Sequence, residues 1–211
     1  MIMSNFVKIN LFPKAVFALL ILASFASHAG SIQKVSIEQL LDVAELVFEG
    51  EVIASRSQWN DNKSAIHTFI TFKVDDVIIG EYGSNRLELR FLGGEADGAV
   101  MEADGSVFPE VGEAGIYFVE STTQYLVNPL AGWSQGHFLI NKQPSGDEVM
   151  MTNEGKTITD IEDNPVVGSE FSTGTAAGVD VARYVTDLPK GMKKKDFKLI
   201  LKNKKSKIRQ K

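Results

Sequence analysis

The sequence predicts an all-β domain, a small barrel or a sandwich, with a short N-terminal helix and a basic C-terminal helix or tail. Apolar residues recur with a period of two through much of residues 46–152. Clusters of Gly, Asn, Asp and Pro separate these runs, and almost no helical periodicity lies between them. Since strands that alternate with helices indicate a parallel α/β sheet, their absence favours antiparallel pairing.

The first elements are a helix and a hairpin. Ser36 precedes apolar residues at helical spacing and predicts a short capped helix. From Leu46 to Ser57 the period is two, with Phe48, Gly50, Val52 and Ala54 on the inner face, which indicates a half-buried strand.

The second strand of this hairpin follows a turn rich in Asn and Asp at residues 60–63. Its inner face is predicted to carry Ile66, Thr68, Ile70, Phe72 and Val74. The Asp75-Asp76 pair interrupts the alternation, and the apolar residues resume one position later. A β-bulge is the simplest explanation.

Five further runs alternate or are apolar enough to be strands: residues 86–91, 116–119, 125–127, 136–141 and 148–152. A long acidic and Gly-rich loop is expected over residues 93–113, and residues 144–147 (Pro-Ser-Gly-Asp) predict the last hairpin turn.

Composition excludes several classes of protein. The chain has 211 residues, of which 44% are hydrophobic and 23% charged, as in ordinary globular proteins. It has no Cys, which excludes disulfides, thiolate zinc sites and a cysteine nucleophile. With three His in the whole chain, a multi-histidine metal cluster is not expected either. We expect no cofactor.

The N-terminal segment resembles a secretory signal peptide. Lys8 and Lys14 form a basic region, an apolar run covers residues 15–26, and small side chains precede the Ala29–Gly30 bond. Cleavage after Ala29 would leave a protein in the periplasm or outside the cell.

The predicted organisation is therefore a signal peptide at 1–29, a β-barrel domain at 30–152, a polar appendage at 153–188 and a basic tail at 189–211. The appendage is weakly patterned and contains one candidate helix near residues 179–184.

Charge divides the chain sharply. Residues 30–188 hold nine Lys and Arg against 26 Asp and Glu, a balance of −17, whereas residues 189–211 hold 11 Lys and Arg and one Asp, a balance of +10. An acidic body repels phosphate backbones, so no nucleic acid is expected as a partner.

Three alternatives remain open for the tail: a solvated terminus, a segment docked on its own acidic body, and a weak contact with anionic lipid. Phe197, Ile200 and Leu201 recur at helical spacing and predict an amphipathic helix. The lysines proposed for an anionic surface are Lys193, Lys194, Lys195, Lys198 and Lys202.

A family resemblance rests on strand and turn segments that follow one another in order. These segments are Phe48-Glu49-Gly50-Glu51-Val52, Phe91-Leu92-Gly93-Gly94-Glu95, Phe108-Pro109-Glu110-Val111-Gly112-Glu113 and Gln135-Gly136-His137-Phe138. Over about residues 44–152 the chain resembles a family of exported bacterial β-domain proteins with no established activity. More remotely it is similar to the netrin-like OB barrel of tissue inhibitors of metalloproteinases. Those inhibitors bind the target's zinc through an N-terminal cysteine, which this chain lacks, so the resemblance implies a fold and no inhibitory chemistry.

Three aromatic residues are candidates for a ligand-binding platform. Trp59, Phe69 and Tyr117 fall outside the inward phase of their strands and would form a stacking surface for a sugar or a peptide. The alternative is that they cover a second small core.

The acidic loop is a candidate calcium site. Glu95, Asp97, Glu102 and Asp104 provide the oxygen ligands that Ca²⁺ prefers, although their spacing matches no EF-hand. The alternative is a solvated surface loop.

Residues 132–136 (Gly-Trp-Ser-Gln-Gly) match the G-x-S-x-G pattern of a serine hydrolase, with His137 adjoining. A nucleophile elbow needs a helix after the serine, whereas a strand follows here, so a glycine-flanked turn is favoured. The leading hypothesis is an exported, non-enzymatic binding module for an unknown protein or envelope component. A protease inhibitor acting through the barrel rim is the alternative, and a serine hydrolase is the third.

Overall fold

The computed structural model describes residues 32–172, 174–182 and 191–210. The predicted signal peptide lies outside these residues. In chain order the elements are α1 (Ile37–Val43), β1 (Leu46–Trp59), β2 (Ile66–Ile79), β3 (Arg86–Leu92), β4 (Gly94–Ala96), β5 (Ala99–Met101), β6 (Ala114–Val119), a 3-10 turn (Trp133–Gly136), β7 (His137–Lys142), β8 (Glu148–Thr152), β9 (Ile158–Ile161), β10 (Val179–Val181) and α2 (Lys194–Ile208). Neither described helix is long and apolar enough to cross a membrane.

Six strands form one antiparallel sheet in the order β3-β2-β1-β6-β7-β8, and β4-β5 and β9-β10 form two small hairpins. The predicted β-rich fold, with a helix near the N-terminus and a helix at the C-terminus, is confirmed. Among the described strands no pairing joins β3 to β8, so the main sheet remains open, with these two strands at its edges.

Helix α1 begins where the sequence predicted. Ser36 accepts a hydrogen bond from the amide of Gln39, and the Gln39 side chain accepts one from the amide of Ser36. This reciprocal pair satisfies two amide groups that the first helical turn leaves without partners. Ile37, Leu40 and Leu41 of the helix are buried against the sheet.

The register of the β1–β2 hairpin shifts at three places, one of them between the pairs Val47/Ile79 and Phe48/Val77. The register also skips Asp75 between the pairs Glu49/Asp76 and Gly50/Val74, which confirms the predicted bulge. The shift at Ile53 was not predicted. It reverses the alternation beyond it, so Ala54, expected on the inner face, lies opposite Thr71 on the outer one.

Each face of the sheet covers a core. The helix-side core joins α1 and α2 to β1, β6, β7 and β8, and the strand-side core lies among β1, β2, β3 and β6. Val47 belongs to the first core and Phe48 to the second, and both are fully buried. The start of β1 is therefore buried on both faces, and the expectation of a half-buried strand was wrong there.

Two predictions about loops are corrected. The expected loop at 93–113 contains the hairpin β4–β5, in which Gly94 and Met101 pair. Residues 125–127, expected as a strand, are irregular, although the carbonyl of Val127 accepts a hydrogen bond from the amide of Leu92. Among the described residues this is the one main-chain hydrogen bond between residues 125–127 and β3, so the segment is not a strand.

The polar appendage at 153–188 is also corrected. Ile158, Ile161, Ala176 and Val179 belong to the helix-side core, so residues 153–172 and 174–182 pack with the domain. The helix expected near 179–184 begins instead as the strand β10, and residues 183–190 lie outside the described residues.

Helix α2 is docked on the body, which makes the solvated-terminus alternative wrong. Phe197 and Leu201 are fully buried in the helix-side core, and the Phe197 ring lies 5.1 Å from that of Phe138. The amphipathic pattern was predicted correctly, but its apolar stripe packs inward.

Candidate ligand-binding face

The solvent-facing side of β1, β2 and β3 forms what we call the outer face. Strand register places Arg56 opposite Phe69, and Phe69 opposite Arg90, so these three side chains form one row across the sheet. A neighbouring row places Thr71 beside Glu88. Directly paired residues of antiparallel strands share a face, so both rows project away from the strand-side core.

Arg56 is fully engaged. Its guanidinium lies 4.3 Å from the centre of the Phe69 ring, and its Nη2 donates hydrogen bonds of 3.0 Å to both carboxylate oxygens of Glu88. Thr71 donates a further bond of 3.4 Å to Glu88. Glu88 is therefore turned across β2 towards β1.

Arg90 has no such carboxylate partner. Its guanidinium carbon lies 3.7 Å from the centre of the Tyr125 ring. Its Nε is buried and has no hydrogen-bond partner, and the arginine makes no salt bridge among the described residues. Burial, and secondarily the positive charge of Arg90, lower the pKa of the nearby His67. Tyr125 is 81% exposed, so the stacked pair is accessible from solvent.

A cavity of about 230 Å³ lies beside Arg90. On one side it is lined by the outer face and the edge of β3, and on the other by the loop at 121–125. Its lining residues are Phe69, Glu88, Leu89, Arg90, Ser121, Thr122, Thr123, Gln124, Tyr125 and Pro129.

The loop that closes this cavity is anchored at both ends of its turn. The Ser121 hydroxyl accepts hydrogen bonds from the amides of Thr123 and Gln124. Thr122 donates from its hydroxyl and its amide to Glu45, and these bonds hold the pKa of Glu45 below its ordinary value. The loop therefore presents Tyr125 to Arg90 from a fixed position.

This arrangement is suited to binding an anion. A guanidinium is permanently charged, and its planar set of donors matches the two oxygens of a carboxylate. Phe69 and Tyr125 add ring surfaces on which a planar or aliphatic group can pack. The Nε of Arg90 is covered, so a ligand oxygen would bind the terminal Nη groups, which are not among the buried atoms without partners.

Comparison with family models, with curated proteins and with solved structures found no match.

The three aromatic residues predicted as a platform have different positions. Phe69 lies on the outer face and lines the cavity, whereas Trp59 is half-buried at the end of β1, opposite Ile66, and does not line it. The prediction for Tyr117 was wrong. Its side chain is fully buried, because β6 pairs with β1 and the Tyr117 ring stacks on that of Phe48.

The sequence did not predict two of the residues that line the cavity, Arg90 and Tyr125. Arg90 alternates with buried leucines in the strand that the sequence predicted most clearly, and that alternation already placed it on the same face as Phe69. Tyr125 had been assigned to a strand, and no local pattern indicates that its loop folds back over β3.

The predicted calcium ligands do not form a site in the described structure. No group of three or more His, Cys, Asp or Glu side chains is arranged to hold a metal ion within residues 32–172, 174–182 and 191–210. Glu95 lies on the short hairpin β4–β5, Asp97 at its turn, and Glu102 and Asp104 follow it.

The Gly-Trp-Ser-Gln-Gly segment is the turn that the sequence favoured. Ser134 and Gln135 are buried in a 3-10 turn that leads directly into β7. The Gln135 side chain accepts a hydrogen bond from the amide of Val35 and donates to the carbonyl of Gln33, so it ties the N-terminal segment to the body. The segment has a structural task.

His137 is buried, and neither ring nitrogen has a hydrogen-bond partner among the described residues, so it is not bonded to Ser134. Its ring stacks on that of Tyr117 at 4.9 Å, and its Nε2 lies 3.8 Å from a carboxylate oxygen of Glu113. Burial lowers the pKa of His137 to about 4 and raises that of Glu113. At neutral pH the imidazole is uncharged.

The lysines proposed for an anionic surface are mostly occupied. Lys193 pairs with a carboxylate of the β7–β8 turn, and Lys194 and Lys198 share Glu49 at 2.6 Å. Lys195 and Lys202 make no salt bridge in the described part of the chain. The helix therefore presents far less free positive charge than its sequence suggests.

Proposed function

We propose that the protein is an exported, non-enzymatic binding module that takes a carboxylate-bearing partner on its outer face. One observation carries this proposal: Arg90 is stacked on an exposed Tyr125 and makes no salt bridge among the described residues. A carboxylate that reached the terminal Nη groups of this guanidinium would gain charge-assisted hydrogen bonds.

The test uses protein purified from cells that express the full chain, labelled with ¹⁵N and titrated with hexaglutamate. We expect the Nε–H resonance of Arg90 to shift most, because a carboxylate bound to the same guanidinium changes its electronic environment. Arg90→Gln removes the charge and should weaken binding by roughly tenfold or more. Arg86→Gln, on the same strand but outside the cavity, is the matched control.

The outcome that contradicts the proposal is equal weakening by both substitutions, or a response confined to α2. Either result would indicate nonspecific attraction between a polyanion and any accessible cation. Titration with hexaglutamine separates the charge of the probe from its backbone.

A further inference from the structure

The edge of β3 has a short stretch of main chain without hydrogen-bond partners in the part of the chain that the structure describes. The amide of Gly93 bonds to the carbonyl of Ile66, and the carbonyl of Asn85 accepts the amide of Val74. Since hydrogen-bonded positions alternate along antiparallel strands, the odd-numbered residues of β3 bond to β2. The even-numbered residues direct their N–H and C=O groups away from it.

Both ends of this outward-directed row are already bonded. The amide of Arg86 donates to the hydroxyl of Ser84, and the amide of Leu92 donates to the carbonyl of Val127. Between them, the main-chain groups of Glu88 and Arg90 have no hydrogen-bond partner among the described residues. These two residues also line the cavity beside Tyr125.

We infer that the ligand of the outer face is an extended acidic segment of a partner polypeptide, which adds to β3 as a further strand. This inference rests on the proposed function, since the same Arg90 supplies the charge. The main-chain groups of Glu88 and Arg90 would pair with the segment, as in other cases of strand addition to a sheet edge. Arg90 would select a carboxylate beside them.

The cavity is small, and one of its walls is the edge of a strand. Its volume of about 230 Å³ is smaller than the roughly 300 to 1,000 Å³ typical of small-molecule sites. One of its walls is a strand edge, which offers donors and acceptors at the repeat of a peptide backbone. A strand added there would lie about 4.8 Å from β3, close enough for its side chains to reach Arg90.

Charge at the edge is complementary to an acidic segment. Glu88, the one carboxylate that lines the cavity, is bound by Arg56 across β2 and so is turned away from the edge. Side chains of a strand alternate between faces, so every second residue of the segment would lie on the same face as Arg90. A sequence that alternates acidic and β-branched residues fits this geometry best.

The test uses fluorescently labelled hexapeptides that alternate Glu and Thr, with binding measured by anisotropy on protein purified from cells that express the full chain. Two control peptides are matched in length. One replaces Glu by Gln, and the other carries N-methyl groups on the amides of one edge, which keeps the charge but blocks pairing. We expect each change to weaken binding by roughly tenfold or more.

A pair of variants tests the same edge from the protein side. Glu88→Pro removes one outward-directed amide and no bond to β2, a position where an edge strand tolerates proline. Glu88→Thr removes the same carboxylate but keeps the amide. We expect the Pro variant to bind at least about fivefold more weakly than the Thr variant, because it lacks one main-chain bond.

The outcomes separate the two proposals. Loss of binding with the N-methylated peptide and with Glu88→Pro supports strand addition, and the peptide arm remains valid if the Pro variant fails to fold. If Arg90→Gln abolishes binding while the N-methylated peptide binds as well as the parent, strand addition is wrong and the anion-binding function stands. If the Glu–Thr peptide and hexaglutamate both fail to bind, both proposals are wrong.

Discussion

The C-terminal helix and the outer face are both cationic, but they hold their charge differently. In α2, Lys194 and Lys198 converge on Glu49, and Lys204 bonds to Glu38 and to an aspartate. On the outer face, Arg90 has an aromatic ring as its neighbour and no carboxylate among the described residues. The number of positive charges in a segment therefore does not indicate how many remain available to a ligand.

The difference follows from what else each region does. The apolar stripe of α2 enters the helix-side core, and this burial brings the flanking lysines onto acidic residues of the body. Such pairing suits a body with a balance of −17 over residues 30–188. Arg90 belongs to β3, in which buried residues alternate with outward-facing ones. Burial of those alternate residues holds β3 on the sheet, and the Arg90 side chain takes no part in it. Its guanidinium lies instead on the ring of Tyr125.

The largest effect is expected from the apolar side of α2. Phe197→Ala should lower the free energy of unfolding by about 3 to 5 kcal/mol, because it leaves a cavity between α2 and β7. Urea denaturation measures the change. Leu199→Ala on the exposed side is the control and should change stability by less than about 0.5 kcal/mol. Similar small effects of both substitutions would show that α2 is a solvated tail after all.

A second effect concerns His137, a base that burial in the core keeps uncharged at neutral pH. The pKa of His137 falls from an ordinary 6.5 to about 4 on folding, so the unfolded chain binds the proton more tightly. Its contribution to stability is complete above pH 6.5 and is lost as the pH falls towards 4. Between pH 7.5 and 5 we expect a loss of about 2 kcal/mol.

The matched variant for this pH dependence is His137→Phe, which keeps a ring against Tyr117 and cannot titrate. Its stability should be nearly flat between pH 7.5 and 5, apart from the opposing contribution of Glu113, whose raised pKa favours the folded state as the pH falls. Parallel pH profiles for the two proteins would show that His137 does not carry the loss.

A third, smaller effect concerns Lys204, whose ion pairs we expect to stabilise the fold. Lys204 is buried, and although burial lowers its pKa, the hydrogen bonds that its ammonium donates to Asp163 and Glu38 raise the pKa above the ordinary value. Lys204→Met keeps the aliphatic stem but leaves Glu38 without its partner, at a cost of about 1 to 2 kcal/mol. Lys202→Met, two positions away and exposed, is the control. Equal free energies of unfolding for the two variants would mean that the ion pair between Lys204 and Glu38 contributes nothing to stability.

Much of this fold was predictable, because it depends on local patterns. Ser36, the strand 86–91 and the bulge at Asp75 each leave a signal within a few residues. The bulge at Ile53 leaves none, and it decides which side of β1 faces outward. The burial of Tyr117 depends on the pairing of β6 with β1. The candidate site depends on the contact between Arg90 and Tyr125, which lie 35 positions apart in the sequence.

The smallest effect on stability is expected at the candidate site itself, and it decides the comparison between the two cations. Arg90→Met retains a long apolar side chain against Tyr125 and removes a buried Nε that has no partner. Stability should therefore stay within about 0.5 kcal/mol of the parent or rise, whereas Lys204→Met lowers it. Thermal unfolding of both variants alongside the parent measures the contrast. A loss above about 1.5 kcal/mol for Arg90→Met would mean that its contact with Tyr125 supports the loop at 121–125, and the arginine would then be structural like the lysines of α2. A neutral or positive change, together with lost hexaglutamate binding, is what a residue kept for a partner should produce.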